Sequence, residues 1–127
     1  MNIELEISGD VIERQELLNG TQIVTLEGRS ADGVWLMSGI VSWNVGLVEY
    51  AGEGDITLTR ESDGAELFGT LVSAESHGDD AEGEMHLAVA YAIDGGAGAF
   101  EEAAGPATAR VTLAWETFSG SWNLDLT

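Results

Sequence analysis

The chain has 127 residues and a mass of 13.4 kDa, which fits a single domain. It carries 23 acidic residues against four arginines and no lysine, a formal net charge of −19 at pH 7. This excess of acid excludes a protein that binds nucleic acid by neutralising phosphates, and one that binds anionic membrane surfaces. Because there is no cysteine, disulfides, thiol catalysis and thiolate ligands for zinc are excluded as well.

An acidic excess without lysine is typical of proteins kept soluble in concentrated salt. Repulsion among the uncompensated charges opposes compaction. At 1 M ionic strength the Debye length falls to about 3 Å, so molar salt removes most of this repulsion. We therefore expect a halophilic source. The N-terminal residues MNIELEISGD lack the basic and apolar regions of a secretory signal, and the sequence predicts a cytoplasmic protein.

The first half of the chain predicts β-strands separated by short turns. Residues 2–8 alternate strictly, with Ile3, Leu5 and Ile7 on one face. Residues 11–18 fit a strand better than a short helix. The dipeptide Asn19-Gly20 predicts a hairpin with a type I′ turn, followed by a strand over 21–27. A long strand over 34–45 comes next, with a bend or bulge at Gly39.

The second half continues the same pattern. Strands are predicted over 55–60, 66–74, 85–93, 108–118 and 121–127, whereas the acidic stretch 76–84 predicts a loop. Eight or nine short strands without a confident helix must hide their edges by closing into a barrel or by splitting into a sandwich. We favour an all-β fold, a single antiparallel up-and-down barrel of about eight strands over residues 1–127. A β-sandwich is the alternative.

One face of the strand over 85–93 carries only small residues where it should meet solvent. Ala88, Ala90 and Ala92 alternate with large apolar residues, although so acidic a protein should place charged or hydroxyl side chains there. Either another subunit covers this face, or Phe100 and the nearby turn do. The first interpretation predicts a homo-oligomer that associates through this strand.

The segment from Asp94 to Gly105, DGGAGAFEEAAG, resembles a hairpin of the allene oxide cyclase and dirigent-like barrels. In those proteins a strand ends in a Gly-Gly-Thr-Gly-like turn, followed by an aromatic residue, a stretch of small residues closing in glycine, and another strand. Here Ala97 stands where threonine is usual and Glu102 where glycine is usual. The same pattern occurs in bacterial barrels of unknown function. The resemblance implies a calycin-like barrel with an apolar cavity, often oligomeric, in which Phe100 plugs one end. It transfers no catalytic residue.

The sequence has four tryptophans, two tyrosines and three methionines, which suggests that the barrel interior is the functional site. An eight-stranded barrel has room for its own side chains or for one small ligand. We therefore predict that the protein binds an apolar small molecule, with the alternative that the same side chains fill the barrel and leave a structural or interaction protein. The predicted ligand-binding residues are Tyr91, Trp115, Trp122, Trp35, Trp43 and Met85.

A cyclase or isomerase acting on a natural-product intermediate is the second hypothesis, because a barrel can hold a flexible substrate in a reactive conformation. The polar candidates are Glu49 beside Tyr50, Asn44 beside Trp43, and His86 with Arg110 on neighbouring strands; Tyr91 could donate a hydrogen bond into the cavity. The two histidines lack a metal-ligand spacing. The acidic loop around His77 matches no calcium loop. We expect no metal and no cofactor.

Overall fold

The chain folds into one closed β-barrel in the computed structural model, which describes residues 1–44, 46–47, 49–50, 52–79 and 84–127. The strands are β1 (Asn2–Glu16), β2 (Thr21–Ser30), β3 (Trp35–Asn44), β4 (Glu49–Tyr50), β5 (Asp55–Arg60), β6 (Glu66–Asp79), β7 (Met85–Ala97), β8 (Gly105–Leu113) and β9 (Thr117–Asp125). A short 3₁₀ helix, Gly98–Phe100, lies between β7 and β8.

Each long strand pairs antiparallel with the next one along the chain. The ring runs β1-β2-β3-β5-β6-β7-β8-β9 and closes where β9 pairs with β1, with Leu5 opposite Trp122. The two-residue β4 pairs with residues 74–75 of β6, which follow the stretch 66–70 that pairs with β5. This confirms the predicted eight-stranded up-and-down barrel over the alternative of a sandwich. Closure removes the free strand edges that an open sheet would expose.

The barrel interior holds the apolar core. Inward positions alternate with outward ones along each strand, as the two-residue period requires. In β7 this alternation buries Leu87, Val89, Tyr91 and Ile93 and turns the intervening side chains outward. The inward positions of the other strands contribute further buried leucine, isoleucine, valine and aromatic side chains. Burial of this apolar surface is the main force that stabilises the fold.

Two local predictions need correction. The β1–β2 hairpin does not form a type I′ turn, because Asn19 does not have a positive φ; only Gly20 does, at 89°. The Gly20 amide donates to the Leu17 carbonyl, so residues 17–20 form the turn. Gly20 takes the left-handed conformation at its last position. The predicted loop over 76–84 is also partly wrong, since β6 continues to Asp79. Residues 80–83 lie outside the described part of the chain.

The glycine-rich segment after β7 closes the end of the barrel where the chain termini lie. Phe100 is buried, and its ring lies 5.7 Å from that of Trp35. The guanidinium of Arg60 lies 4.7 Å from the centre of the Phe100 ring and is held there by Asp63 at 2.6 Å. The prediction that Phe100 plugs one end is confirmed, and extended chain resumes at Gly105 as expected.

Candidate functional site

Five of the six predicted ligand-binding residues belong to the interior or its lining. Tyr91, Trp122, Trp35 and Trp43 are inward-facing and buried, while Met85 is partly buried against the core. These side chains lie among other apolar groups. The ring of Trp122 meets that of Phe118 edge to face at 6.3 Å, and it lies against Gly120, where a Cβ would be only 2.8 Å from the indole.

Trp115 was wrongly placed in the interior. It is 75% exposed at the turn between β8 and β9. In the sequence the alternation of Val111 and Leu113 continues to Trp115, but β8 ends at Leu113 and residues 114–116 form the turn. Arg14 holds the indole from outside, with its guanidinium 4.7 Å from the ring centre and its side chain donating to the carbonyls of Ala114 and Trp115.

Among the described residues, two buried side-chain polar atoms have no hydrogen-bond partner. They are the indole Nε1 groups of Trp43 and Trp122. A buried donor left unpaired costs roughly 1–3 kcal/mol. Ser30 is also buried at an inward position, but its hydroxyl is engaged by Asp32 and the Trp35 amide. Tyr91 is the titratable side chain among the predicted interior residues, and burial, with a smaller contribution from the charge of Asp55, raises the pKa of its hydroxyl. The described part of the interior therefore favours neutral groups and contains two unused donors.

Among the described side chains, the polar groups predicted for catalysis on β3, β7 and β8 do not meet inside the barrel. Asn44 donates to the Asn19 carbonyl and the Thr21 hydroxyl, which ties β3 to the β1–β2 hairpin. His86 and Arg110 share the outer surface of β7 and β8, and His86 contacts the Thr112 hydroxyl at 3.2 Å. The side chain of Glu49 lies outside the described part of the structure. Tyr91 remains the one catalytic candidate that faces the interior.

The histidine-containing loop shows no cation site in the part that is described. His77 lies 3.5 Å from Glu75, and both side chains are about half exposed. Among the described residues no three carboxylate or imidazole groups converge on one point. Residues 80–83, which include two of the acids considered for this loop, lie outside the description.

A groove of about 920 Å³ crosses the outer surface of β6, β7, β8, β9 and β1. Small side chains form its floor: Ser73, Ala88, Ala90, Thr108, Ser121 and Asn123. Carboxylates stand only at its margins, with Glu75 on β6 and Glu4 and Glu6 on β1. The predicted alanine face therefore forms the floor of the groove, and Phe100 does not cover it because that ring is buried at the barrel end.

A second groove on the outer surface, in contrast, contains acidic residues on its lining. This groove of about 550 Å³ across β1, β2, β3 and β5 contains Asp10 and Glu27, together with Arg29. By contrast, the segments 86–92, 106–112 and 117–123 of β7, β8 and β9 contain no acidic residue in a chain that has 23. Sequence analysis noted the alanines but missed this acid-free face, which comparing the charge of successive strands would have revealed.

Arg110 lies within the acid-free face. The other three arginines are engaged: Arg14 by Trp115, Arg29 by Glu61 and Arg60 by Asp63. Within the part of the chain that the structure describes, Arg110 forms no ion pair. In the paired register Arg110 lies between Ala88 of β7 and Ser121 of β9, and Glu75 and Glu6 belong to the next strand on either side. The Glu6 carboxylate reaches towards this face and accepts from the Ser121 hydroxyl at 2.7 Å.

In comparisons with known proteins, no family model, curated protein or solved structure matches the chain. The resemblance to allene oxide cyclase and dirigent-like barrels therefore stays a prediction. Within the described residues, no helix has the length and apolar character to cross a membrane.

Proposed function

We propose that this chain is a non-catalytic interaction protein, a solid barrel that contacts a protein partner through its acid-free outer face. The observation that carries the proposal is the occupation of the interior by the protein's own side chains. Leu58, Leu67 and Leu124, on three different strands, have no exposed surface, and the six buried aromatic side chains are at most 6% exposed. Such packing favours the filled barrel among the alternatives raised by the sequence.

The polar groups support a non-catalytic role. General acid-base catalysis needs a titratable group within hydrogen-bond reach of the substrate, with its pKa near the working pH. The Tyr91 hydroxyl is the candidate inside the barrel, and its raised pKa keeps it protonated at neutral pH. Among the other described candidates, His86 and Arg110 lie on the outer surface and Asn44 binds the Asn19 carbonyl.

The test is a fluorescence titration of the folded protein with small apolar probes such as benzene and indole, in about 2 M KCl, where charge repulsion is screened. The Leu58→Ala variant is the matched control, since deleting a fully buried leucine side chain creates an apolar cavity that such probes fill. We expect no saturable binding to the wild type and binding to the variant. Saturable binding to the wild type with one site per chain would refute the proposal.

One observation favours a second candidate, binding of an apolar small molecule in the interior, or its turnover by a cyclase. The unpaired indole donors of Trp43 and Trp122 would be satisfied by a ligand that carries a carbonyl or ether oxygen. In this case an acceptor-bearing ligand binds the wild type, and Trp122→Phe weakens that binding while leaving binding of a pure hydrocarbon unchanged. The filled barrel predicts no binding of either.

A further inference from the structure

We propose that the partner of the acid-free face is a second copy of this chain, joined by a two-fold axis that runs along β7. The inference rests on the proposed function, in which the outer face is the contact surface. It names the occupant of that face and the residues that face each other across it.

The closed barrel limits how two copies can meet. The barrel is closed, so none of its eight long strands lies at the edge of an open sheet, although residues 11–16 of β1 pair only with β2. We place the contact on the outer face of the closed wall. Two chains that each carry a charge of −19 repel each other strongly. Segments 86–92, 106–112 and 117–123 of β7, β8 and β9 carry no carboxylate of their own, and Asp94 lies just beyond them on β7, where it accepts from the Thr70 hydroxyl. Apolar Val72 and Phe68 extend the face onto β6 with exposures of 52% and 38%.

The face carries charges of both signs, so two copies related by a two-fold axis can place opposite charges against each other. Arg110 on β8 and Glu75 on β6 both lie opposite Ala88 in the paired register, one on each side of β7. A two-fold axis lying in the interface along β7 exchanges these two positions. It places Arg110 of each copy on Glu75 of the other, and it packs Ala88 and Ala90 against the same residues of the second copy. The small alanine side chains allow close approach of the two β7 strands.

Sedimentation equilibrium in about 0.3 M KCl tests the arrangement by charge reversal. We expect the wild type to be a dimer at micromolar concentration. Arg110→Glu and Glu75→Arg should each weaken dimerisation roughly 30-fold, because each change creates two like-charge contacts across the axis. The double variant should return to within about 3-fold of the wild type, since the pairs form again with their signs exchanged. Circular dichroism confirms that each variant is folded.

Arg29→Glu is the matched control, with the same charge change on the outer surface of β2. It should leave dimerisation within about 3-fold of the wild type. A monomeric wild type at 100 micromolar overturns the inference, as does a double variant as weak as the single ones. If the double variant of Arg110→Glu and Glu6→Arg is rescued instead, the axis along β7 is wrong. None of these results depends on the probe titration, so the two proposals can fail separately.

Discussion

Replacement of Gly28 by alanine should destabilise the barrel by about 1–2 kcal/mol. Gly28 occupies an inward position of β2, between buried Leu26 and Ser30. A Cβ at this position would lie 2.6 Å from the Ser8 carbonyl oxygen and 2.8 Å from Cζ of Phe118. Non-bonded atoms normally approach to 3.5–4.0 Å, so both neighbours would have to move by almost 1 Å. The Ser8 oxygen is backbone and belongs to the paired β1, which resists such a shift.

The magnitude follows from two opposing terms. Inserting a methyl group into a packed core costs about 1–3 kcal/mol. Replacing glycine by alanine recovers about 0.4–1 kcal/mol by restricting the unfolded chain. A net loss of about 1–2 kcal/mol should lower the melting temperature by about 3–10 °C for a domain of this size. Urea unfolding and thermal melts in 2 M KCl measure both quantities.

Gly46→Ala is the matched control. The nearest atom to a Cβ at Gly46 is the side-chain oxygen of Asn44 at 3.3 Å, and Gly46 does not have a positive φ. This variant should be as stable as the wild type or slightly more stable. If Gly28→Ala is equally well tolerated, there is unused space beside Phe118, and the filled interior is incorrect.

Three further predictions concern charge and protonation. Because of the net charge of −19, the melting temperature should rise by roughly 5 °C or more between 0.1 M and 2 M KCl, and an unchanged melt would contradict the repulsion argument. Arg60 lowers the pKa of Asp63 to about 2, so this pair stabilises the fold above pH 3.8 and the contribution is lost as the pH falls towards 2. An NMR titration of the Asp63 carboxyl should have its midpoint near 2. A midpoint near 4 would exclude the ion pair in solution. Burial raises the pKa of Tyr91, so the neutral hydroxyl contributes its full stabilisation below pH 10, and this contribution is lost at higher pH as Tyr91 ionises in the unfolded chain. Tyr91→Phe should therefore reduce the loss of stability between pH 10 and 11, measured by urea unfolding. Identical stability profiles of the variant and the wild type would show that Tyr91 ionises in the folded state.

Most of the fold could be predicted because apolar and polar residues alternate along a strand whose one face is buried, and this alternation is visible in the sequence. Ile3, Leu5 and Ile7 in β1 and the apolar positions of β7 mark one face, and the turn glycines mark the ends. The boundaries were less accurate where polarity and pairing disagree. Residues 76–79 are polar yet remain in β6, because backbone pairing with β7 continues there.

The candidate site was predicted less well, for a reason that Trp115 illustrates. Its place in an alternating sequence suggested the interior, but the turn after Leu113 breaks the alternation and leaves the indole outside, held by Arg14. Neither the turn position nor a contact between residues 101 positions apart can be read from local pattern. The groove takes residues from five strands, so no single strand pattern reveals it, and its lack of acid can be read from the sequence only by comparing β7, β8 and β9 with one another.

The central claim, that the protein's own side chains fill the barrel, is tested most directly by a crystal structure of the protein pressurised with xenon. Xenon enters apolar cavities that are empty of water. The account predicts no xenon inside the wild-type barrel and one xenon site beside residue 58 in Leu58→Ala, where a fully buried leucine has been truncated. A xenon atom beside Trp122 or beside Trp43 in the wild type would contradict the account and favour an interior ligand.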